Sequence, residues 1–477
     1  MLAGLPAEIV LLIAESLENG SDVVNLARCS HQLHRITIHQ AYRSIDIKHY
    51  CTVSLSTLVN TLFQKPKYAQ RVQRLSFNKL QAHLHQDHDE RPSAVRALSP
   101  FVMETVKELS SCPAEKNEWV AALSANTDPD EMSSDAWLAV LLCCVPNIEY
   151  LEMEWGSPSS VFSSRLLNRA ALRRGAFSSR LLFTRLRETS IKSPYEELEP
   201  YPLEKVAPFF RFETMRKFRG SRLCDMDDRW PNRFSMMVPL GTSSVEHIEL
   251  EQAHSARAFH TFIKACKNLK TFRHLQRRSY GTYLHSYSFH FPNMQYNRFS
   301  QFLERARRTL ESLHLDHYYQ EDGDDCNDWM TDWFGSLRSF KKLKHVHLRM
   351  RRFVVADYDT EKVVIGLKRL LPASIEHLSL SDLDGPQFCV AISELRRLVA
   401  ARDRFPNLTA ISLEGNWGGG YSARATSLPK REVMALSEKL WKDCERAGVS
   451  LNLRSNRAPV SRYGGLQERW VHYFLDG

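Results

Sequence analysis

The apolar positions of this chain fall into a recurring phrase, apolar-x-x-apolar-x-apolar, most regular in its second half. It reads Leu310-Glu-Ser-Leu313-His-Leu315, then Leu343-Lys-His-Val346-His-Leu348, Ile375-Glu-His-Leu378-Ser-Leu380 and Leu408-Thr-Ala-Ile411-Ser-Leu413. Successive starts lie 33, 32 and 33 residues apart. Looser copies begin at Val72, Ile148 and Val245, Leu269-Lys-Thr-Phe272 is a partial one, and Val449-Ser-Leu451-Asn-Leu453 closes the series. The period-2 end of each phrase predicts a short strand with one buried face. Between the late copies, helix-like spacing predicts helices over Ala256–Ala265, Arg298–Arg307, Thr360–Leu371 and Gln387–Ala401.

A strand followed by a helix, repeated at near-constant spacing, is a unit that buries its apolar residues against its neighbours. The pattern resembles the leucine-rich-repeat fold, although its late period exceeds the usual 20–29 residues. The resemblance implies an α/β solenoid over residues 71–455, with strands lining a concave sheet and helices outside. Two stretches interrupt the pattern and are expected to be insertions or irregular repeats, near 86–135 and 157–202. Residues 49–70 read as a transition and 456–477 as a tail or cap.

The start of the chain has a different period. Pro6 and Glu8 suit the first turn of a helix, where proline costs no hydrogen bond and an acid meets the positive dipole end. Ile9, Ile13 and Leu17 recur every four residues, while Val10, Leu11 and Leu12 make the helix apolar on more than one side. A second helix is expected beyond Ser21 or Asp22, through Val23, Val24, Leu26 and Ala27, and a third from His31 to Tyr42. Three such helices in about 40 residues cannot bury this apolar surface among themselves.

The order Leu5-Pro6-Ala7-Glu8-Ile9, then Ile13, Leu17, Asp22-Val23, Leu26, Cys29, Leu33 and Tyr42-Arg43-Ser44-Ile45-Asp46-Ile47, resembles an F-box over residues 1–48. The closing segment is similar to that of fungal members. Cys29 departs from the usual aliphatic residue, and Tyr42-Arg43 from the common Leu-Trp. The resemblance implies a Skp-type adaptor as partner and, through it, a cullin-RING ubiquitin ligase. Carried over by position, Leu5, Pro6, Ile9, Ile13, Leu17, Val23 and Leu26 would form the adaptor-binding set, Val23 and Leu26 serving either the contact surface or the small core. The chain would then be the substrate-recognition subunit of that ligase, or an F-box scaffold with a non-degradative role.

In the repeat phrase, residues flanking the middle apolar position point away from the core. This places Tyr150, Glu152, His247, Glu249, Ser312, His314, His345, His347, His377, Ser379, Ala410 and Ser412 on one sheet surface. Tyr150, Glu152, His247, Glu249, His314, His345, His347 and His377 are the substrate-binding candidates for a target protein not identifiable from sequence.

Composition changes this picture little. The 477 residues are 43% hydrophobic and 25% charged, with a net charge of +9, which excludes wholesale disorder and does not by itself mark a nucleic-acid partner. Nucleic-acid-binding and enzymatic α/β readings are the weaker alternatives. The ten cysteines form no C-x-x-C and read as reduced, mostly buried core residues, pointing to cytoplasm and/or nucleus. The apolar run Ala136–Val145 is about half of a membrane span, and the basic n-region of a secretory leader is lacking. No nucleophile elbow, phosphate loop or H-E-x-x-H occurs, so no catalytic residue, cofactor or metal is expected. Gly415–Gly420 reads as a turn. His83, His85 and His88 beside Asp87, Asp89 and Glu90 fit no zinc spacing and read as a solvated loop. Arg165, Arg169, Arg173, Arg174, Arg180, Arg185 and Arg187 lie in a stretch free of acids and read as a solvated helix face, or as a contact for an acidic or phosphorylated partner.

Overall fold

The computed structural model describes residues 4–17, 20–47, 52–77, 98–125, 131–154, 161–179, 181–192, 201–224, 238–251, 256–276, 296–317, 333–357, 362–383, 385–415 and 430–455. They fall into two compact units, one built essentially from residues 1–245 with Ala265–Lys267, the other from the rest.

The first unit begins with three helices, α1 (Ala7–Ser16), α2 (Gly20–Arg28) and α3 (His31–Ala41). Ser30 caps α3 by accepting the Leu33 N–H at 3.1 Å, which satisfies a donor the helix leaves open. Val10, Ala14, Val23, Ala27 and Leu33 are all at most 4% exposed and form the core of this small module, with the Thr37 hydroxyl turned onto the Leu33 carbonyl. The segment after α3 ties the module to the repeats. Tyr42 stacks on Tyr68 at 4.4 Å, and β1 (Ser44–Ile47) pairs in parallel with β2 (Arg74–Phe77). The sheet continues through β3 (Tyr150–Glu154), β4 (Glu188–Lys192) and β5 (Lys217–Ser221), every pairing parallel.

Beyond β2, two of these strands escaped the sequence reading. In β4 the middle core position is Thr189, fully buried because its hydroxyl bonds the Leu151 carbonyl at 3.0 Å. In β5 the last core position is Gly220, where an added Cβ would stand 2.5 Å from Leu223 Cδ1. The described residues of the stretches expected to interrupt the array form helices and a strand. Helices Pro100–Leu109, Pro113–Ser124 and Glu131–Cys144 occupy the first, and helix Val161–Leu172 and β4 the second. Asp135 accepts the Phe162 N–H at 2.7 Å and the Ser163 N–H at 3.2 Å, holding the start of Val161–Leu172 against Glu131–Cys144.

In the second unit the repeat is regular. The parallel order is β6 (His247–Glu251), β7 (Thr271–Gln276), β8 (Ser312–His317), β9 (His345–Arg349), β10 (His377–Leu383), β11 (Ala410–Gly415) and β12 (Ser450–Ser455). The twelve apolar positions of the four late phrases are 0–2% exposed. Successive turns before the strands are braced by backbone bonds of 2.8 Å: Lys344 N–H to Glu311, Glu376 to Lys344, Thr409 to Glu376 and Ser450 to Thr409.

Helices Ala256–Ala265 and Gly385–Ala400 lie as expected, and Lys430–Arg446 covers the last repeat. The helix expected over Arg298–Arg307 spans Tyr296–Leu303 and continues as a 3-10 turn, Glu304–Ala306. That expected over Thr360–Leu371 is instead a strand, Lys362–Ile365, and a single turn, Leu367–Leu370. The β-branched pair Val363-Val364 favours the strand, and Gly366 separates the two. Gly366 is required there because a Cβ would lie 1.9 Å from the Oε2 of Glu394, a 3%-exposed carboxylate that accepts the Leu367 N–H.

The cysteines are free among the described residues, and Cys143 and Cys444 are buried, but Cys29 and Cys112 are exposed. Among the same residues, no helix is long and apolar enough to cross a membrane.

Candidate interaction surfaces

The first surface belongs to the helical module. On α1, burial falls on Val10 and Ala14, which leaves Ile9 43% and Leu12 60% exposed. Leu5 is 37% and, on α2, Val24 is 38% exposed. Pro6 is exposed, and Ile13, Leu17 and Leu26 are half-buried. Val23 packs inward at 4% exposure, so it belongs to the small core. Leu12 and Val24 are the apolar residues of this surface that positional carry-over did not single out. A helix apolar all round gives no sequence signal of which side the module itself covers.

The second surface is the polar face of the first unit's sheet. Register aligns Arg74, Tyr150, Glu188 and Lys217 in one row, and Ser76, Glu152, Ser190 and Arg219 in the next. These side chains are cross-linked. Tyr150 donates to Glu152 at 2.8 Å, Lys192 pairs with the same carboxylate, Arg219 reaches Glu188 at 3.2 Å, and the Arg74 guanidinium lies 4.3 Å over the Tyr150 ring. Burial, reinforced by the Glu152 carboxylate, pushes the Tyr150 phenol above its ordinary range. Burial alone would raise Glu152, but its bonds to Lys192 and Tyr150 outweigh this and hold it low. Arg74, Tyr150 and Glu188 also border a cavity of about 360 Å³ whose other wall includes Ala14, Gly20 and Val23 of the helical module.

The third is the polar face of the second unit's sheet. One row runs His247, Thr271, Ser312, His345, His377, Ala410 and Ser450; the next runs Glu249, Arg273, His314, His347, Ser379, Ser412 and Asn452. His345 stacks on His377 at 4.7 Å, and His314 on His347 at 3.9 Å with the rings 4° from parallel. His345 and His377 are exposed, whereas His347 is only 9% exposed, with Nδ1 2.8 Å from the Ser379 hydroxyl. Burial, then the neighbouring His347, lowers His314 to about 2. Burial lowers His347 to about 4, against the pull of Asp316. Burial and His377 also lower His345. Both members of the His314–His347 stack are therefore neutral at pH 7. Asp316, two residues beyond His314, joins them: one ligand atom from each of the three lies within 4.8 Å of the others. The repeat phrase pointed to both histidines but stopped one position short of Asp316.

Three arginines of the arginine-rich stretch are paired within the fold. Arg169 meets Glu115 at 2.9 Å, Arg165 meets Glu118 at 2.7 Å, and Arg173 meets Glu213 at 2.7 Å. Arg165, Arg169 and Arg174 line a cavity of about 650 Å³ with Lys205 and Phe177. Arg180, the His83/His85/His88 group with its acids, and residues 416–420 of the glycine-rich turn lie outside the described residues.

Parallel strands in repeated register, a buried ladder of aliphatic residues and a row-ordered polar face define a leucine-rich-repeat architecture. A family model described as leucine-rich repeat domain matches residues 47–413, and the chain belongs to that family. No curated protein matches it. Such domains are protein-interaction modules, which agrees with polar sheet faces cross-linked among themselves.

Proposed function

We propose that this protein is the substrate-recognition subunit of a Skp–cullin–F-box ubiquitin ligase. The observation that carries the reading is the apolar surface of Leu5, Ile9, Leu12 and Val24, left 37–60% exposed on a three-helix module whose sequence resembles an F-box. An exposed helical face of this kind is suited to a hydrophobic groove on a partner, here the Skp-type adaptor. The repeats then hold a target protein on their polar sheet faces, in cytoplasm or nucleus. The chain supplies no catalytic group: tethering raises the effective concentration of target lysines near the charged ubiquitin-conjugating enzyme.

The test is a pull-down of the intact chain beside a Leu5→Ala/Pro6→Ala/Ile9→Ala variant, read by mass spectrometry. Adaptor and cullin should accompany the intact chain and vanish with the variant, while proteins retained by both are candidate targets. If neither form brings down an adaptor, the ligase reading falls. A target whose half-life is unchanged on deletion of the protein moves the role to non-degradative scaffolding.

A further inference from the structure

We propose that His314, His347 and Asp316 form a binding site for a divalent transition-metal ion of the zinc class on the sheet face of the second unit. This goes beyond the ligase reading and does not depend on it.

The argument starts from register. β8 and β9 are paired so that His314 stands directly beside His347, and Asp316 follows His314 by two residues on the same strand. Two imidazoles and one carboxylate thus converge without any loop having to fold over them. Their candidate ligand atoms lie within 4.8 Å of one another. Zinc bonds of about 2.0–2.2 Å to nitrogen and oxygen need a somewhat tighter cluster, which modest side-chain rotation from the stacked arrangement would supply.

The second observation concerns His347. Its Nδ1 is engaged by Ser379 at 2.8 Å, and its buried Nε2 has no hydrogen-bond partner. With Nδ1–H donating to the serine hydroxyl, Nε2 carries an unshared lone pair in a ring only 9% exposed. A buried polar atom without a partner is costly, and coordination to a metal would satisfy it. A ligand histidine oriented through its other nitrogen is the arrangement metal sites use. The neighbouring His345–His377 stack supplies a contrast: its rings are exposed, and it belongs to no such cluster among the described residues.

Three cations stand nearby, and each has an acid beside it. Arg349 lies 3.9 Å from Asp316, Arg273 is the register neighbour of Glu249, and Arg454 that of Glu414. The surroundings are therefore close to balanced, and a divalent ion would compete with Arg349 for Asp316. Two nitrogens and one oxygen suit zinc or its neighbours in preference to magnesium or calcium. Three protein ligands leave a coordination position for water or for a donor from a bound target.

The test uses the full-length chain, with Zn²⁺ added in calorimetric titration and Cu²⁺ in electron paramagnetic resonance. One equivalent of Zn²⁺ should be lost in His314→Ala and His347→Ala and retained in His345→Ala and His377→Ala. Ser379→Ala should weaken binding roughly 10- to 100-fold. Asp316→Asn, at a half-exposed position that leaves the fold intact, should weaken it at least tenfold. The Cu²⁺ spectrum should show coupling to two imidazole nitrogens. Absence of Zn²⁺ binding by the wild type would overturn the proposal. So would uptake unchanged by both His347→Ala and Asp316→Asn, or uptake lost equally in His345→Ala. Circular dichroism of each variant separates loss of the site from loss of the fold, and if a histidine variant unfolds, Asp316→Asn decides.

Discussion

Helix α1 carries two adjacent apolar residues with opposite roles, and substitution separates them. Val10 is 2% exposed, whereas Ile9 is 43% and Leu12 60% exposed. Full burial of an aliphatic side chain contributes about 1.5–3 kcal/mol. The fractions still open to a partner correspond to about 0.6–1.3 kcal/mol at Ile9 and about 0.9–1.8 kcal/mol at Leu12. Ile9→Ala/Leu12→Ala should therefore weaken adaptor binding roughly 10- to 150-fold. The same double variant should alter stability by about 1 kcal/mol or less, as exposed positions do. Val10→Ala should do the reverse: about 2 kcal/mol of stability lost through a core cavity, with the affinity of the folded fraction nearly unchanged. The assay is titration of the purified full chain with purified Skp-type adaptor, alongside urea denaturation. An affinity within twofold of wild type for Ile9→Ala/Leu12→Ala would refute the reasoning. A stability loss in that variant equal to that of Val10→Ala would show that the face is already covered within the fold.

Other consequences follow from buried polar groups. Gly366→Ala drives a Cβ into Glu394, breaking the carboxylate's bonds to the Leu367 N–H and Arg397, and should cost about 2–4 kcal/mol in chemical denaturation. In a Glu394→Ala background the glycine substitution should cost at least 1 kcal/mol less, a coupling that a double-mutant cycle reads directly. Arg169→Ala removes the nearest cation from Glu115, whose side chain is 7% exposed, leaving it the Ser111 bonds and Arg165 at 3.7 Å, and should cost about 1–3 kcal/mol at neutral pH. Burial would raise Glu115, but its bonds to Arg169 and Ser111 hold it at about 2. Its contribution is thus present above the ordinary carboxylate range, is lost as pH falls toward 2, and should shrink in the variant. Asp135 behaves oppositely: burial raises it from 3.8 to about 6, against its bonds to Ser163 and Phe162. Its stabilisation is full below its unfolded value and is lost as pH rises from there through 6, so urea midpoints should decline between about pH 4 and 6.5. Asp135→Asn should flatten that decline.

The repeats were legible wherever an aliphatic residue occupies each inward position of the phrase, as at Leu343, Val346 and Leu348. They were illegible where the inward position is filled by other chemistry. Thr189 is buried because a carbonyl on the neighbouring strand receives its hydroxyl, and Gly220 because a neighbouring leucine fills the space of its missing side chain. Leu151 lies 38 residues from Thr189, and Leu223, although only three residues from Gly220, stands beyond the end of the strand, so the apolar period fails at both positions. The helical module shows the same limit. Its four-residue period finds α1, but only packing against α2 and α3 decides that Val10 turns inward and Ile9 outward. The arginine-rich stretch looked unpaired because its acids come from 40 to 54 positions away, Glu115 for Arg169 and Glu213 for Arg173. The sheet faces reverse this relation. Register in a parallel repeat is set by the apolar ladder, so once the inward residues are identified, the outward neighbours follow by counting. Counted in this way, His314 and His347 fall in one row, and the strand register sets them side by side. The neutrality of these rings and the free nitrogen of His347 could not be counted out, since both come from burial between strands and a serine 32 residues further on. A repeat fixes where side chains stand, while their chemistry is set by which neighbours the stacking brings.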